Sequence, residues 1–371
     1  MPPRHIYIHV PFCARRCSYC DFAIAVRRRV PVDEYVDTLA RELELRWPTP
    51  SRSAVETIYL GGGTPSLIGP EGVARVIDVV SDRFPPASNA EITIEANPDD
   101  VDAASVAAWC SAGVNRVSLG VQSFDDRALT WMHRSHDSTG ARRAVDHIRD
   151  GGIGNWSLDL IFSLSAELGR NWERDVAAAI ALEPSHVSLY GLTIEPHTPI
   201  ARWRDRGSVV EAPEETYERE YLYAHDTLAA AGYEHYEVSN FARPGCGSRH
   251  NSGYWTGASY VGLGPAAHGF DGIARRWNER EYAAWVRRVG AGEDPVAGTE
   301  ILSRENRVSE AVYLGLRTSN GLVLCDGEQV YVQPWIDAGW GSVGGARLRL
   351  TPKGWLRLDA LAASLTVLRS R

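Results

Sequence analysis

The stretch "YIHVPFCARRCSYCDF", residues 7–22, decides the fold of this chain, because it places three cysteines directly behind a short apolar segment. Cys13, Cys17 and Cys20 follow the spacing C-x3-C-x2-C. Thiols this close together could form disulfides, bind zinc or bind an iron–sulfur cluster. The choice between these three chemistries determines what the rest of the chain is for.

An iron–sulfur cluster fits the three thiols best. Three is an odd number for disulfides, and the few residues before Tyr7 leave no room for a signal peptide, which predicts a reducing compartment. Structural zinc normally takes four ligands from paired knuckles, and no second knuckle follows. A protein normally supplies four thiolates to a [4Fe–4S] cube. Three thiolates would leave one iron open to another ligand, and zinc remains the alternative on these residues alone.

Composition bounds the partners of the chain. Its 371 residues are 44% hydrophobic and 23% charged, and no apolar run approaches the roughly 20 residues of a membrane span. The net charge of −8 gives no general attraction for nucleic acid. We therefore expect a cytoplasmic protein with no integral membrane segment and no nucleic-acid partner.

Short apolar runs alternate with amphipathic stretches, which predicts βαβ units and a parallel sheet. The predicted strands cover residues 6–10, 57–60, 91–95, 116–119, 157–162 and 186–190. The predicted helices cover residues 32–47, 70–84, 102–112, 138–150, 171–182 and 213–231. Six strands are fewer than the eight of a closed barrel. We expect an α/β fold built on an open, partial (β/α)6 barrel.

The strand–helix rhythm ends near residue 235, which suggests three segments. The partial barrel would occupy residues 1–235. Residues 236–295, rich in Gly, Ser and aromatics, would form an irregular and functional segment. Residues 296–371 would form a small C-terminal domain, helical or winged-helix-like.

The cysteine spacing, with Tyr19 before the third cysteine, resembles the signature of the radical SAM superfamily. The partial barrel is also that family's fold. In that family the amino and carboxylate groups of S-adenosylmethionine (SAM) chelate the open iron, and one electron from the cluster cleaves SAM to a 5′-deoxyadenosyl radical. The resemblance therefore implies a [4Fe–4S] cluster held by Cys13, Cys17 and Cys20, SAM as cofactor, and an electron donor for the cluster.

Further motifs resemble the coproporphyrinogen-oxidase-like (HemN/HemW) branch of that superfamily. "IYLGGGTPS", residues 58–66, puts a glycine run behind the second strand, and polar residues stand at or near the ends of the next three strands. In that branch the residues at the matching positions contact SAM. The resemblance implies SAM contacts from Tyr7, Gly62, Gly63, Thr64, Glu95, Gln122, Arg134 and Asp159.

Three features favour the HemW-type heme chaperones within this branch. The dehydrogenases carry a long arm before the cysteine motif and a fourth cysteine two positions after the third, where this chain has Phe22. "HNSGYW", residues 250–255, matches the H-N-x-x-Y-W motif associated with heme in HemW proteins. A neutral imidazole is a common axial ligand of heme iron, so the resemblance implies His250 as the heme ligand. The simpler alternative is that His250 and Asn251 cap a turn.

The resemblance therefore implies a heme-binding chaperone that passes heme to an acceptor protein. The alternative is a radical SAM oxidative decarboxylase that converts coproporphyrinogen III to protoporphyrinogen IX. One departure is "DLIFSLSAE", residues 159–167, where the family commonly reads D-L-I-Y-G-L-P-G. Because Ser163 and Ser165 replace glycine and proline, we expect a different conformation in this loop, with the SAM contact of Asp159 intact.

Overall fold

The structure is a computed structural model that describes residues 3–370. The strands are β1 His5–Val10, β2 Phe12–Cys13, β3 Ala25–Val26, β4 Val55–Gly62, β5 Pro86–Ala96, β6 Arg116–Gln122, β7 Asn155–Phe162, β8 His186–Gly191, β9 Glu234–Glu237, β10 Asn240–Ala242, β11 Tyr260–Leu263, β12 His268–Phe270, β13 Ala274–Asn278, β14 Val296–Ile301, β15 Leu322–Val323, β16 Gly341–Gly344 and β17 Arg347–Leu350. The helices are α1 Val32–Arg46, α2 Gly69–Arg83, α3 Ala103–Ser111, α4 Asp126–Trp131, α5 Ser138–Asp150, α6 Trp172–Ala181, α7 Pro199–Asp205, α8 Glu214–Ala230, α9 Arg249–Trp255, α10 Tyr282–Gly290, α11 Arg304–Arg317, α12 Glu328–Asp337, α13 Pro352–Trp355 and α14 Leu358–Arg369.

The expected α/β partial barrel is confirmed. The six predicted strands are β1, β4, β5, β6, β7 and β8, and they lie side by side in that order as parallel neighbours. β11 pairs in parallel with the other side of β1 and adds a seventh strand. Antiparallel strands extend both sides, and the twelve-stranded order ends at β14 and β9 without closing. The sheet is therefore open, as six βα units require.

Alternate side chains of the parallel strands face opposite layers. In β4, the apolar Ile58 and Leu60 are fully buried in the core under the helices. Thr57, which precedes Ile58, and Tyr59, which lies between Ile58 and Leu60, face the concave side of the sheet. We call this side the lumen. The lumen is lined by polar and aromatic side chains on all six strands: His5, Tyr7, His9, Thr57, Tyr59, Glu91, Thr93, Glu95, Arg116, Ser118, Ser157, Asp159, His186 and Ser188.

Residues 236–295 are more regular than expected. They contain the end of β9, β10, α9, β11, β12, β13 and α10. Strands of three to five residues are too short to show a period in the sequence, and all five pair antiparallel with a neighbour close in the chain. The expectation of an irregular segment was wrong for this reason.

The last part of the chain has a hydrophobic core of its own. α11 and α14 pack together beside the three-stranded sheet β15–β17–β16, with Val312, Leu348 and Leu365 fully buried between them. This helix, strand and hairpin order is compatible with the winged-helix-like expectation. β14 belongs to the large sheet, so we propose that the small C-terminal domain begins after Ile301. Among residues 3–370 the structure has no helix with the length and apolarity needed to cross a membrane.

Candidate cofactor site

The cysteine loop lies at the carboxyl ends of the parallel strands, the edge where barrel sites form. Cys13 is buried at the end of β2, and Cys17 and Cys20 are partly exposed. All three line one cavity of about 520 Å³. The Cys13 sulfur lies 3.4 Å from the hydroxyl oxygen of Thr64. Burial raises the pKa of the Cys13 thiol, and that of Cys20 to about 11, so iron binding must displace protons from them.

The three thiols do not converge on one point. In the part of the chain that the structure describes, no three His, Cys, Asp or Glu side chains are close enough to hold a single metal ion. A zinc ion needs its ligands at one centre, whereas a [4Fe–4S] cube places each thiolate on a different iron. The three cysteines line the wall of one cavity, which is compatible with a cluster that takes each thiolate on a different iron.

The glycine run fixes the cysteine loop against β4. A Cβ atom on Gly63 would lie 2.7 Å from the carbonyl oxygens of both Pro11 and Phe12. The Gly63 amide donates to the carbonyl of Val10 at 2.9 Å, and the Thr64 amide donates to Phe12 at 2.8 Å. The glycine run therefore allows residues 10–12, which lead into Cys13, to pack closely against the end of β4.

Two carboxylates reach the cavity from the lumen. Glu95 accepts hydrogen bonds from the Tyr59 hydroxyl at 2.8 Å and from the Gly62 amide at 3.0 Å. Asp159 accepts from the Ser118 hydroxyl at 3.1 Å. Burial raises the pKa of Glu95 to about 7 and that of Asp159 to about 6. Each carboxyl group has acceptor capacity left for the polar donors of a bound ligand.

Arg134 brings a positive charge to the inner wall. Its guanidinium donates to the carbonyl of Gly120 at 2.7 Å, to the Asn97 side-chain oxygen, and to the Cys17 sulfur at 3.5 Å. Gln122 lines the same wall from the end of β6, with a φ of 70°. A non-glycine residue held in this left-handed region costs on the order of 1 kcal/mol, which the surrounding contacts must offset.

The structure brings together ten of the twelve residues that the sequence suggested. The cavity wall contains Cys13, Cys17, Cys20, Gly62, Gly63, Thr64, Glu95, Gln122, Arg134 and Asp159. Tyr7 lies deeper in the lumen, where its hydroxyl is 3.1 Å from the His9 ring and its own ring stacks on Tyr59. Tyr7 therefore contacts the cavity wall indirectly, through Tyr59, which donates a hydrogen bond to Glu95. Its direct SAM contact remains a prediction.

Sequence reasoning missed several polar residues of the wall, and Asn97 and Tyr190 are two examples. Asn97 follows Glu95 by two positions and holds Arg134, and Tyr190 stands near the end of β8 and is 46% exposed. Both lie at or just beyond the carboxyl end of a strand. The rule that sites form at this edge would have found them.

His250 lies at the other end of the lumen and is buried. One ring nitrogen is 2.6 Å from the Thr57 hydroxyl, and the other is 2.8 Å from the Tyr254 hydroxyl. Burial lowers the pKa of His250 to about 3, so its imidazole is neutral. A neutral imidazole suits heme iron, but both of its nitrogens already have partners and the ring is enclosed. These residues do not fit a heme in this conformation, and the heme ligand remains a prediction.

A second cavity of about 480 Å³ lies beside the serine-containing loop, between the barrel and the C-terminal domain. Ser163 has a φ of 58°, and its amide donates to the Glu220 carboxylate at 2.7 Å. The left-handed backbone at Ser163 explains why glycine is common at this position in the family. Ser165 is buried, and its hydroxyl has no hydrogen-bond partner among the described residues.

Comparisons with known proteins identify the superfamily. Residues 7–174 match the family model of the radical SAM superfamily. The fold superposes on coproporphyrinogen III oxidase (HemN) from Escherichia coli, described as a radical SAM enzyme, with a TM-score of 0.83 over 99% of this chain and 90% of that chain. The sequence identity of that pair is 21%, so this similarity establishes the fold alone. The barrel, the three-cysteine loop and the family model define a radical SAM protein.

Sequence relatives narrow the class. The chain is 37% identical over 369 residues to the heme chaperone HemW of Mycobacterium tuberculosis, across 98% of this chain and 95% of that relative. It is 33% identical over 317 residues to the heme chaperone HemW of Bacillus subtilis, across 85% and 84%. The chain belongs to the HemW family of the radical SAM superfamily. Membership of the superfamily implies a [4Fe–4S] cluster and SAM.

Proposed function

We propose that this protein is a heme chaperone, which binds heme and transfers it to an acceptor protein and carries a SAM-ligated [4Fe–4S] cluster. The observation that carries the proposal is the similarity to relatives named heme chaperone HemW over almost the whole chain. Phe22 supports it, because this residue stands where the dehydrogenases have a fourth cysteine. Its side chain is 61% exposed and lines the cavity.

The residues of the cavity have separate roles in this proposal. Cys13, Cys17 and Cys20 hold the cluster, and SAM completes it. The backbone of the glycine run would hold the amino group of SAM, and Arg134, which donates to the Cys17 sulfur, would balance the negative charge of the thiolates. When bound and reduced, the cluster supplies the electron that cleaves SAM. An electron donor is therefore a second proposed partner, besides the heme acceptor.

A cytoplasmic location is part of the same proposal. All six cysteines of the chain are free thiols in the structure. Reducing compartments keep thiols in this state.

The test uses one anaerobic preparation of the full chain, reconstituted with iron, sulfide and SAM. We expect about four irons per chain with broad absorption near 400 nm, and loss of both in Cys17→Ala. Heme titrated into the wild-type protein should produce a Soret band that survives gel filtration and decays when an apo-heme protein is added. Coproporphyrinogen III should remain unconverted.

Two results would refute the proposal. Anaerobic formation of protoporphyrinogen IX together with 5′-deoxyadenosine would make the protein a dehydrogenase. Absence of stable heme binding in a preparation with full iron content would remove the cargo on which the proposal depends.

A further inference from the structure

The "HNSGYW" segment forms a floor across the amino ends of the parallel strands, at the end of the lumen opposite to the cysteine loop. Helix α9 begins behind Ser248, and the carboxylate of Glu91 accepts hydrogen bonds from the amides of Arg249 and His250 at 3.1 and 3.0 Å. A Cβ atom on Gly253 would lie 2.7 Å from the His5 ring. The motif is thus fitted closely against the first, second and third strands of the barrel.

His250 points from this floor into the lumen. Thr57 lies between two imidazoles, 2.6 Å from the His250 ring and 2.9 Å from the His5 ring. Tyr254 holds the other nitrogen of His250 at 2.8 Å. Polar groups buried in this way are expensive to leave without partners, so this geometry is strongly specified.

A continuous set of contacts links His250 to the cavity. Its ring stacks on Tyr59, with centroids 4.9 Å apart and planes inclined by 26°. The Tyr59 hydroxyl donates to one oxygen of Glu95 at 2.8 Å, and the other oxygen accepts from the Gly62 amide at 3.0 Å. Glu95 and Gly62 both line the cavity. The position of one imidazole therefore sets the position of a carboxylate at the other end of the lumen.

We propose that His250 is a positioning residue of the SAM site, which acts through Tyr59 and Glu95. The motif that the family associates with heme is in this chain the support of the cofactor pocket. The inference rests on the SAM site of the proposed function and is independent of the place where heme binds. Removal of the ring leaves Tyr59 without the imidazole that stacks on it, removes one of the two partners of the Thr57 hydroxyl and removes the imidazole partner of the Tyr254 hydroxyl. We expect a loss of SAM affinity of about tenfold, the effect of one good hydrogen bond.

The test compares four variants of the full chain after anaerobic reconstitution. His250→Ala removes the support, Tyr59→Phe keeps the ring but removes the hydroxyl that reaches Glu95, and His250→Gln restores polar groups in place of the imidazole. Leu365→Ala is the control, because it opens a void in the separate C-terminal core, where Leu365 is fully buried. Each variant is measured for iron content, melting temperature, heme binding and the SAM concentration that half-saturates the change in the EPR spectrum of the reduced cluster.

We expect His250→Ala and Tyr59→Phe to raise that SAM concentration about tenfold, with iron content and Soret band retained. His250→Gln should recover part of the affinity. Leu365→Ala should lower the melting temperature and leave SAM affinity unchanged, which separates positioning from a general loss of stability.

Three outcomes bear on the inference. Unchanged SAM affinity in both His250→Ala and Tyr59→Phe would refute it. Loss of the Soret band in His250→Ala with SAM affinity intact would also refute it and make His250 a heme ligand. A wild-type protein that binds SAM but no heme would refute the proposed chaperone function, while the expected effects on SAM would still support the inference.

Discussion

Replacement of Gly63 by alanine tests how the cysteine loop is fixed, because it adds only one methyl group. That methyl would lie 2.7 Å from the carbonyl oxygens of Pro11 and Phe12, far inside contact distance. The segment can relieve the clash only by moving away from β4. Such a movement breaks the hydrogen bonds from Gly63 to Val10 and from Thr64 to Phe12.

The magnitude follows from these two effects. Overpacking of this kind costs about 1–3 kcal/mol. Each of the two backbone hydrogen bonds contributes about 0.5–1.5 kcal/mol. If both are lost, the free energy of unfolding falls by about 2–6 kcal/mol. Because Cys13 directly follows the displaced segment, iron loading should fall as well.

Chemical denaturation of the anaerobic apoprotein measures the first effect, and iron and sulfide content after reconstitution measures the second. Gly154→Ala is the matched control, since this glycine has ordinary backbone geometry and no other heavy atom lies within 4 Å of its Cβ position. We expect the control to be unchanged or stabilised by up to about 1 kcal/mol. A Gly63→Ala protein with the wild-type denaturation midpoint and full iron content would show that close packing of the glycine run does not position the loop.

Three further changes test the site and the packing of α11 against β9. Arg134→Lys should weaken SAM binding at least about tenfold, because an ammonium group cannot replace the planar guanidinium and its several donors. SAM binding is measured on the reduced cluster, and an affinity equal to that of the wild type would contradict the role of the guanidinium. The pKa of Glu95 rises on folding from 4.5 to about 7, so this group makes the apoprotein less stable as the pH rises through that interval, and Glu95→Gln should flatten the slope of stability against pH there. Arg317→Ala leaves the fully buried Glu237 carboxylate without its ion-pair partner at 2.9 Å and should lower the free energy of unfolding by about 3–5 kcal/mol, whereas an unchanged denaturation midpoint would show that the pair contributes nothing.

The strand–helix core was predictable because its signals are local. Apolar runs and helical periodicity gave the six parallel strands, and the bounds of α5 agree with the predicted residues 138–150. β11 was missed because its place beside β1 depends on a pairing between residues about 250 positions apart, such as His5 with Tyr260. No local pattern contains that information.

The residues of the candidate site were predictable to a similar extent. Residues at the carboxyl ends of strands converge because parallel strands share that edge, which explains why Glu95, Gln122 and Asp159 meet. Whether Tyr7 and His250 reach the cavity wall depends on the layer of the lumen that each side chain occupies. That layer is set by the stagger between neighbouring strands and by the docking of α9. The motif gave the residue type of His250 but could not give its neighbours Thr57 and Tyr254.

The polar lumen has a consequence for the order of folding and cluster binding. Its groups hydrogen-bond mainly with one another, as His5 does with Thr57 and Ser118 with Ser157, while the apolar core lies outside the strands. We therefore expect the chain to fold before it binds iron, in contrast to small zinc domains that are unfolded without metal. The cluster would then enter a cavity that the folded chain has already formed.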